Sequence, residues 1–89
     1  MTIEEGETIG RALHEIGQFA EAQPWFERAI VAKEQGDIHG RVDHESLGRS
    51  LHLVGYCLSS QGQFAEAQPW FECAVKAAEQ ENFHQEDPE

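Results

Sequence analysis

The sequence predicts an all-α protein, two helix-turn-helix hairpins stacked as a short α-solenoid with the first helix shortened. Three observations carry that expectation. The stretch GQFAEAQPWFE occurs twice, at 17–27 and 62–72. Apolar residues recur at three- and four-residue spacing: Ile9, Leu13 and Ile16; Leu47, Leu51, Val54 and Leu58; Phe64, Ala67, Phe71 and Ala74. No segment alternates apolar and polar residues in the manner of a half-buried strand.

The repeat has an offset of 45 residues, and 17–35 is identical to 62–80 at 15 of 19 positions. Beyond it the match fades, although His39 still falls opposite His84. Upstream a different register is better: ETIGRALHEIG (7–17) matches ESLGRSLHLVG (45–55) at six of eleven positions, leaving YCLSSQG as seven extra residues in the second copy. Seven residues are about two helical turns, so their loss shortens a helix while keeping its faces in phase.

The elements follow in order. The first helix is expected over 3–16, with Thr2 and Glu5 placed for a capping box. Gly17 suits the reversal into the second helix, over 18–35. Pro24 falls in the second turn of that helix, where it lacks an N–H and crowds the carbonyl of Ala20. Pro69 does the same to Ala65 in the second copy. A proline in a regular helix interior costs about 3 kcal/mol, so its presence in both copies points to helix curvature that serves stacking. Gly36 and Gly40 flank an irregular connection. Asp43 caps the third helix, over 43–60, and Gly62 turns the chain into the fourth, over 63–81. The organisation expected is one domain over 1–89, with a first hairpin at 2–36, a connection at 37–42, a second hairpin at 43–81 and a polar tail at 82–89.

These residues resemble the tetratricopeptide repeat family. Its pattern W-x2-L-G-x2-Y, then A-x3-F, then A, is approached by Leu51, Val54, Gly55, Leu58, Ala67, Phe71 and Ala74 in the second copy. In the first copy it is approached by Gly6, Ile9, Gly10, Leu13, Ala22, Phe26 and Ala29. The AEAQPWFERA pattern is similar to the longer repeats of kinesin light chain and related bacterial arrays. Two features depart from the family: Glu34 and Glu79 stand where a late proline is usual, and the repeat exceeds the usual length of roughly 34 residues.

The resemblance implies that ligands lie along the first helix of each pair, on the concave face. That stripe would comprise Arg49, His52, Tyr56 and Ser59, together with Glu7, Arg11 and His14. A merely solvated polar face carries equal weight on spacing alone. The paired Lys and Asn with which some family members clamp a peptide carboxylate are not on this stripe.

Composition narrows the partners. Seventeen acids against six bases give a net charge of −11. Nucleic acid and anionic membranes need clustered Lys and Arg, so neither is expected. A basic peptide or basic protein face is what such a charge attracts. No apolar run approaches the roughly 18 residues of a membrane span, and MTIEEGET lacks the basic start and apolar centre of a signal peptide. Arg28 is the counterpart of Cys73, so that position does not demand a thiol, and a reducing, cytoplasmic setting is the simplest reading.

No chemistry is expected. His14-Glu15 and His44-Glu45 resemble the start of H-E-x-x-H, but neither is followed by the second histidine. Cys57 stands five residues from His52, a poor pairing on a helix. No catalytic residue, metal site or cofactor is therefore assigned. The function expected is a non-catalytic protein–protein interaction module that binds a peptide or protein segment. The alternative is a structural unit that self-associates, or a fragment of a longer repeat array; an enzyme or metal-binding protein ranks last. Two repeats are fewer than the three a solenoid normally needs. Trp25 is expected against Leu47 and Leu51, whereas Trp70 has no following helix, so Trp70, Phe71 and Val75 form a candidate self-association patch. That patch predicts a homodimer or higher homo-oligomer, with helix exchange around Gly36–Gly40 as a variant.

Overall fold

A computed structural model describes the backbone of residues 3–85 and the side chains of residues 5–80. Among these residues the chain forms four helices and no strand: α1 (Ile3–Glu15), α2 (Phe19–Glu34), α3 (His44–Ser60) and α4 (Phe64–Gln85). Three of the four lie within a residue or so of expectation. The fourth runs past 81 to Gln85, so the segment read as a polar tail begins as helix. Thr2 and residues 86–89 lie outside the described residues.

Each hairpin closes on a glycine in the left-handed region, Gly17 at φ 86° and Gly62 at φ 82°. The hydrogen bonds around them are the same in both copies. The N–H groups of Gly17 and Gln18 donate to the carbonyls of His14 and Leu13 at 3.1 and 2.9 Å. Those of Gly62 and Gln63 donate to Ser59 and Leu58 at 3.0 and 2.9 Å. This double closure satisfies carbonyls that a helix end otherwise leaves open. Asp43 caps α3 as expected, its side chain accepting from the Ser46 N–H at 3.1 Å. The connection between hairpins is tied by Asp37, whose Oδ1 accepts from the backbone N–H groups of His39 and Arg41 at 2.8 and 2.9 Å.

Both prolines stay inside continuous helices. Pro24, Pro69, Ala20 and Ala65 are all exposed. The carbonyl each proline cannot bond is therefore on a side that water reaches, which lowers the cost of the missing bond.

Within each hairpin a phenylalanine lies on a glycine. A Cβ at Gly10 would stand 2.9 Å from Phe26, and one at Gly55 would stand 2.7 Å from Phe71. These contacts decide the spatial register. Gly10 corresponds to Gly55 and Gly17 to Gly62, both at the 45-residue offset. The upstream match of 7–17 with 45–55 would instead equate the turn glycine Gly17 with the mid-helical Gly55, and is a likeness of sequence without equivalence in space. In the true register α1 corresponds to 48–60. It is shorter than α3 at its start, with 13 residues against 17, and no two-turn segment is missing from its middle.

α3 is the centre of the structure. It packs on α2 along one side and on α4 along the other. Leu47, Leu51, Val54, Cys57 and Leu58 are buried on it, joined by Ala22, Phe26 and Ile30 of α2 and by Ala67 and Ala77 of α4. Burying a Leu or Val side chain contributes about 1.5–3 kcal/mol, and this helix supplies the largest share of the core cluster. Trp25 does not reach Leu47 and Leu51 as expected. It turns its indole toward α1, 3.6 Å from where a Cβ on Gly6 would stand, and the Arg28 guanidinium lies 5.1 Å from its ring centroid.

Gly55→Ala is expected to destabilise the fold by about 1–3 kcal/mol, because the added methyl meets a ring that neighbouring residues already hold. A thermal melt decides the matter. An unchanged midpoint would show that Phe71 moves away freely and does not set the helix spacing.

Candidate functional site

A groove of about 1050 Å³ runs between α1, α3 and α4. Arg11, His14 and Glu15 face it from α1. His44, Glu45, Gly48, Arg49, His52 and Leu53 supply the α3 wall. The α4 wall is apolar: Phe71, Ala74, Val75 and Ala78, at spacings of three, one and three residues that put them on one helical face. From His44 to Leu53 the groove follows α3 for about 14 Å of rise, enough for two to three turns of a docked helix.

Four of the seven residues expected on the binding stripe meet here: Arg11, His14, Arg49 and His52. Tyr56 and Ser59 do not line the groove. Tyr56 lies edge-on to His14, ring centroids 4.8 Å apart, and beside Phe19 at 6.3 Å, and so ties the hairpins together. His14 also meets Phe19 and Phe26 edge-on, and its Nε2 is buried without a hydrogen-bond partner. Of the self-association candidates, Phe71 and Val75 line this same groove, so the expected polar stripe and apolar patch are two walls of one site. Trp70 is half-buried against the core.

Arg49 is exposed and pairs weakly with Glu45 across one turn, at 3.7 Å. His52 packs on Phe71, ring centroids 5.3 Å apart, and its imidazole has no hydrogen bond among the described residues. In a chain of net charge −11, two arginines balance two glutamates here. The groove is thus far less negative than the chain as a whole.

Glu7, expected on the same stripe, is used elsewhere. Lys33 of α2 donates to its carboxylate, to Ser50 Oγ at 2.8 Å and to the Ser46 carbonyl at 3.3 Å. Ser50 Oγ donates to Glu7 Oε2 at 2.9 Å. Ser50 is only 1% exposed, so three helices meet at one nearly dry polar cluster. Burial pushes the Glu7 carboxyl up, but the hydrogen bonds from Lys33 and Ser50 and the charges of Lys33 and Arg11 outweigh it, leaving its pKa below the ordinary value. Cys57 is buried in the core, and burial pushes its thiol up to about 11, so it is an inert apolar group rather than a nucleophile. Cys73 is exposed and free.

The two hairpins present equivalent faces to different surroundings. Ile30 is 5% exposed beneath α3, while its counterpart Val75 is 56% exposed. Phe19 is half-buried beside Tyr56, while its counterpart Phe64 is 69% exposed. The groove therefore contains the face on which α3 docks in the first hairpin, left open in the second.

Paired antiparallel helices, repeated and stacked with a glycine against a phenylalanine in each pair, define a helical-hairpin repeat protein. A family model of the tetratricopeptide repeat matches residues 7–35 and again 48–81. The chain belongs to the tetratricopeptide repeat family, whose repeats are generally protein–protein interaction modules and typically non-catalytic. No curated protein and no solved structure matches the chain. Among the described residues no helix is long and apolar enough to cross a membrane.

Lys33→Met is expected to cost about 1–3 kcal/mol, because Glu7 and Ser50 lose their donor in a buried setting. The double variant Glu7→Gln/Lys33→Met should recover part of that loss in the same melts. A Lys33→Met protein as stable as the parent would show the cluster to be idle. Because the folded pKa of Glu7 is lowered, its contribution is whole above the unfolded value of about 4.5 and is lost as pH falls through the folded value. Glu7→Gln should flatten the acid limb of a stability–pH curve, and an unaltered limb would contradict the assignment. Maleimide labelling supplies a separate check: Cys73 should react in the native protein and Cys57 only on unfolding.

Proposed function

We propose that the chain is a binding module that holds a segment of a partner protein in the groove between α1, α3 and α4. The observation that carries this is the convergence of Arg11, His14, Arg49 and His52 with the apolar residues Phe71 and Val75 in one cleft. Apolar surface supplies affinity and the flanking polar groups supply orientation. The groove is open along its length and follows α3 from His44 to Leu53, a shape suited to a polypeptide segment. The net charge of −11 draws basic partners at long range, whereas inside the groove two arginines balance two glutamates. Both cysteines are free, which fits a reducing, cytoplasmic setting.

A second reading, self-association through the same face, is favoured by the exposure of Val75 and Phe64. In a homodimer the neighbour would cover what α3 covers in the first hairpin. Repulsion between two chains of −11 opposes it, so such a dimer should tighten with added salt.

The test is a displayed peptide library selected on the full chain, with each binder re-measured on Arg49→Ala and Val75→Glu proteins. Both positions are exposed, so melting should change little, within about 0.5 kcal/mol for Arg49→Ala. Selected peptides should bind one or both variants at least about tenfold more weakly. Binders indifferent to both changes, or no binders at all, would overturn the groove reading.

A further inference from the structure

The chain contains its own example of what fits the open face. In the first hairpin, Phe26, Ala29, Ile30 and Lys33 of α2 and Glu7 of α1 lie under α3, which brings Leu47, Ser50, Leu51 and Val54 to the contact. In the 45-residue register the second hairpin offers Phe71, Ala74, Val75, Ala78 and His52 at those same places. The apolar part is nearly unchanged. The polar part is not: Glu7 and Lys33 are replaced together by His52 and Ala78. Lys33/Ala78 is one of only four differences in the 19 residues compared.

That paired change specifies chemistry. On the first face, the scaffold brings both the carboxylate and the ammonium, and the docking helix brings only neutral partners, the Ser50 hydroxyl and the Ser46 carbonyl. On the second face the scaffold brings an imidazole without a hydrogen bond and no counter-charge beside it. Arg49, one turn before, is held only by its exposed pair with Glu45. A docking helix completes this arrangement by bringing the carboxylate itself.

Resting on the groove reading above, we infer that the segment bound is an amphipathic helix of a partner protein. Its apolar stripe repeats that of Leu47, Leu51 and Val54, and an acidic residue stands where α3 has Ser50, directed at His52. The helix lies along the α3–α4 face as α3 lies along α1 and α2. A basic residue at that position would bring a cation to His52, which has no carboxylate within ion-pair distance among the described residues, and to Arg49, whose neighbour Glu45 is already engaged.

The probe is a synthetic peptide of residues 43–60 carrying Cys57→Ser, made with Ser50→Glu and with Ser50→Lys. Each is titrated by fluorescence anisotropy against the full chain and against its His52→Glu variant. The Glu peptide should bind the parent about tenfold tighter than the Lys peptide, a difference within reach of one charge reversed at a partly desolvated contact. His52→Glu should invert the order, added salt should compress it, and Val75→Glu should abolish binding of both. Equal binding of the two peptides to the parent, or an order that His52→Glu leaves unchanged, overturns the inference. So does failure of both peptides while the displayed library yields groove-dependent binders of other character, an outcome that leaves the groove reading standing. Failure of both peptides together with an empty library overturns the two readings alike. Light scattering that shows a dimer dissociated by Val75→Glu identifies the occupant as a second copy of the chain, and also overturns the inference.

Discussion

The separation between paired helices is set where a phenylalanine ring lies on a glycine. Phe26 on Gly10 and Phe71 on Gly55 leave no room for even a methyl group, so the backbones of α1 and α2, and of α3 and α4, approach as closely as the ring allows. The rest is built on that spacing. It brings Ala22 and Ala67 into the core, orients α3 between two partners, and lets His52 rest its ring on Phe71 at the edge of the groove. The contact is made twice by the same residue types, which gives the two hairpins a common frame.

On that frame the same sequence meets two environments. Ile30 and Val75 are equivalent in position and nearly so in chemistry, yet one is in the core and the other faces the groove. The difference is the helix above. A repeat cannot bury its apolar face alone, and the second hairpin shows what that means for individual side chains. Sequence likeness between copies therefore reports shared backbone geometry. Exposure, and with it the capacity to bind, depends on what each copy has next to it.

Much of this was legible in the residues. The four helices, the turn glycines and the Asp43 cap followed from spacing and local chemistry, which act within a few residues of chain. Arg11, His14, Arg49 and His52 were grouped by the family resemblance and by helical spacing, and the folded chain brings the four to one groove. What escaped depended on contacts between distant residues. Nothing near Glu7 in the sequence says that Lys33 and Ser50 will claim it, so it reads as one more polar residue on a stripe. Tyr56 shares that stripe, but an aromatic ring beside His14 and Phe19 gains more from packing on them than from solvent. Phe71 and Val75 were assigned to a separate self-association patch, since the placing of α4 beside the polar face of α3 is a property of the assembled hairpin. The stronger upstream alignment misled for a related reason: Gly, Leu and His recur in both helices, while only the contact with phenylalanine shows which glycines correspond.

The central position of α3 has a consequence for how the molecule comes apart. It is the first helix of one hairpin and the lid of the other, and it holds Leu47, Leu51, Val54, Cys57 and Leu58 in a core drawn from three helices. In a long solenoid, repeats contribute as semi-independent links, and one end can fray while the other stays folded. Here detaching α3 from either neighbour uncovers residues belonging to both. The two repeats therefore form a single cooperative folding unit.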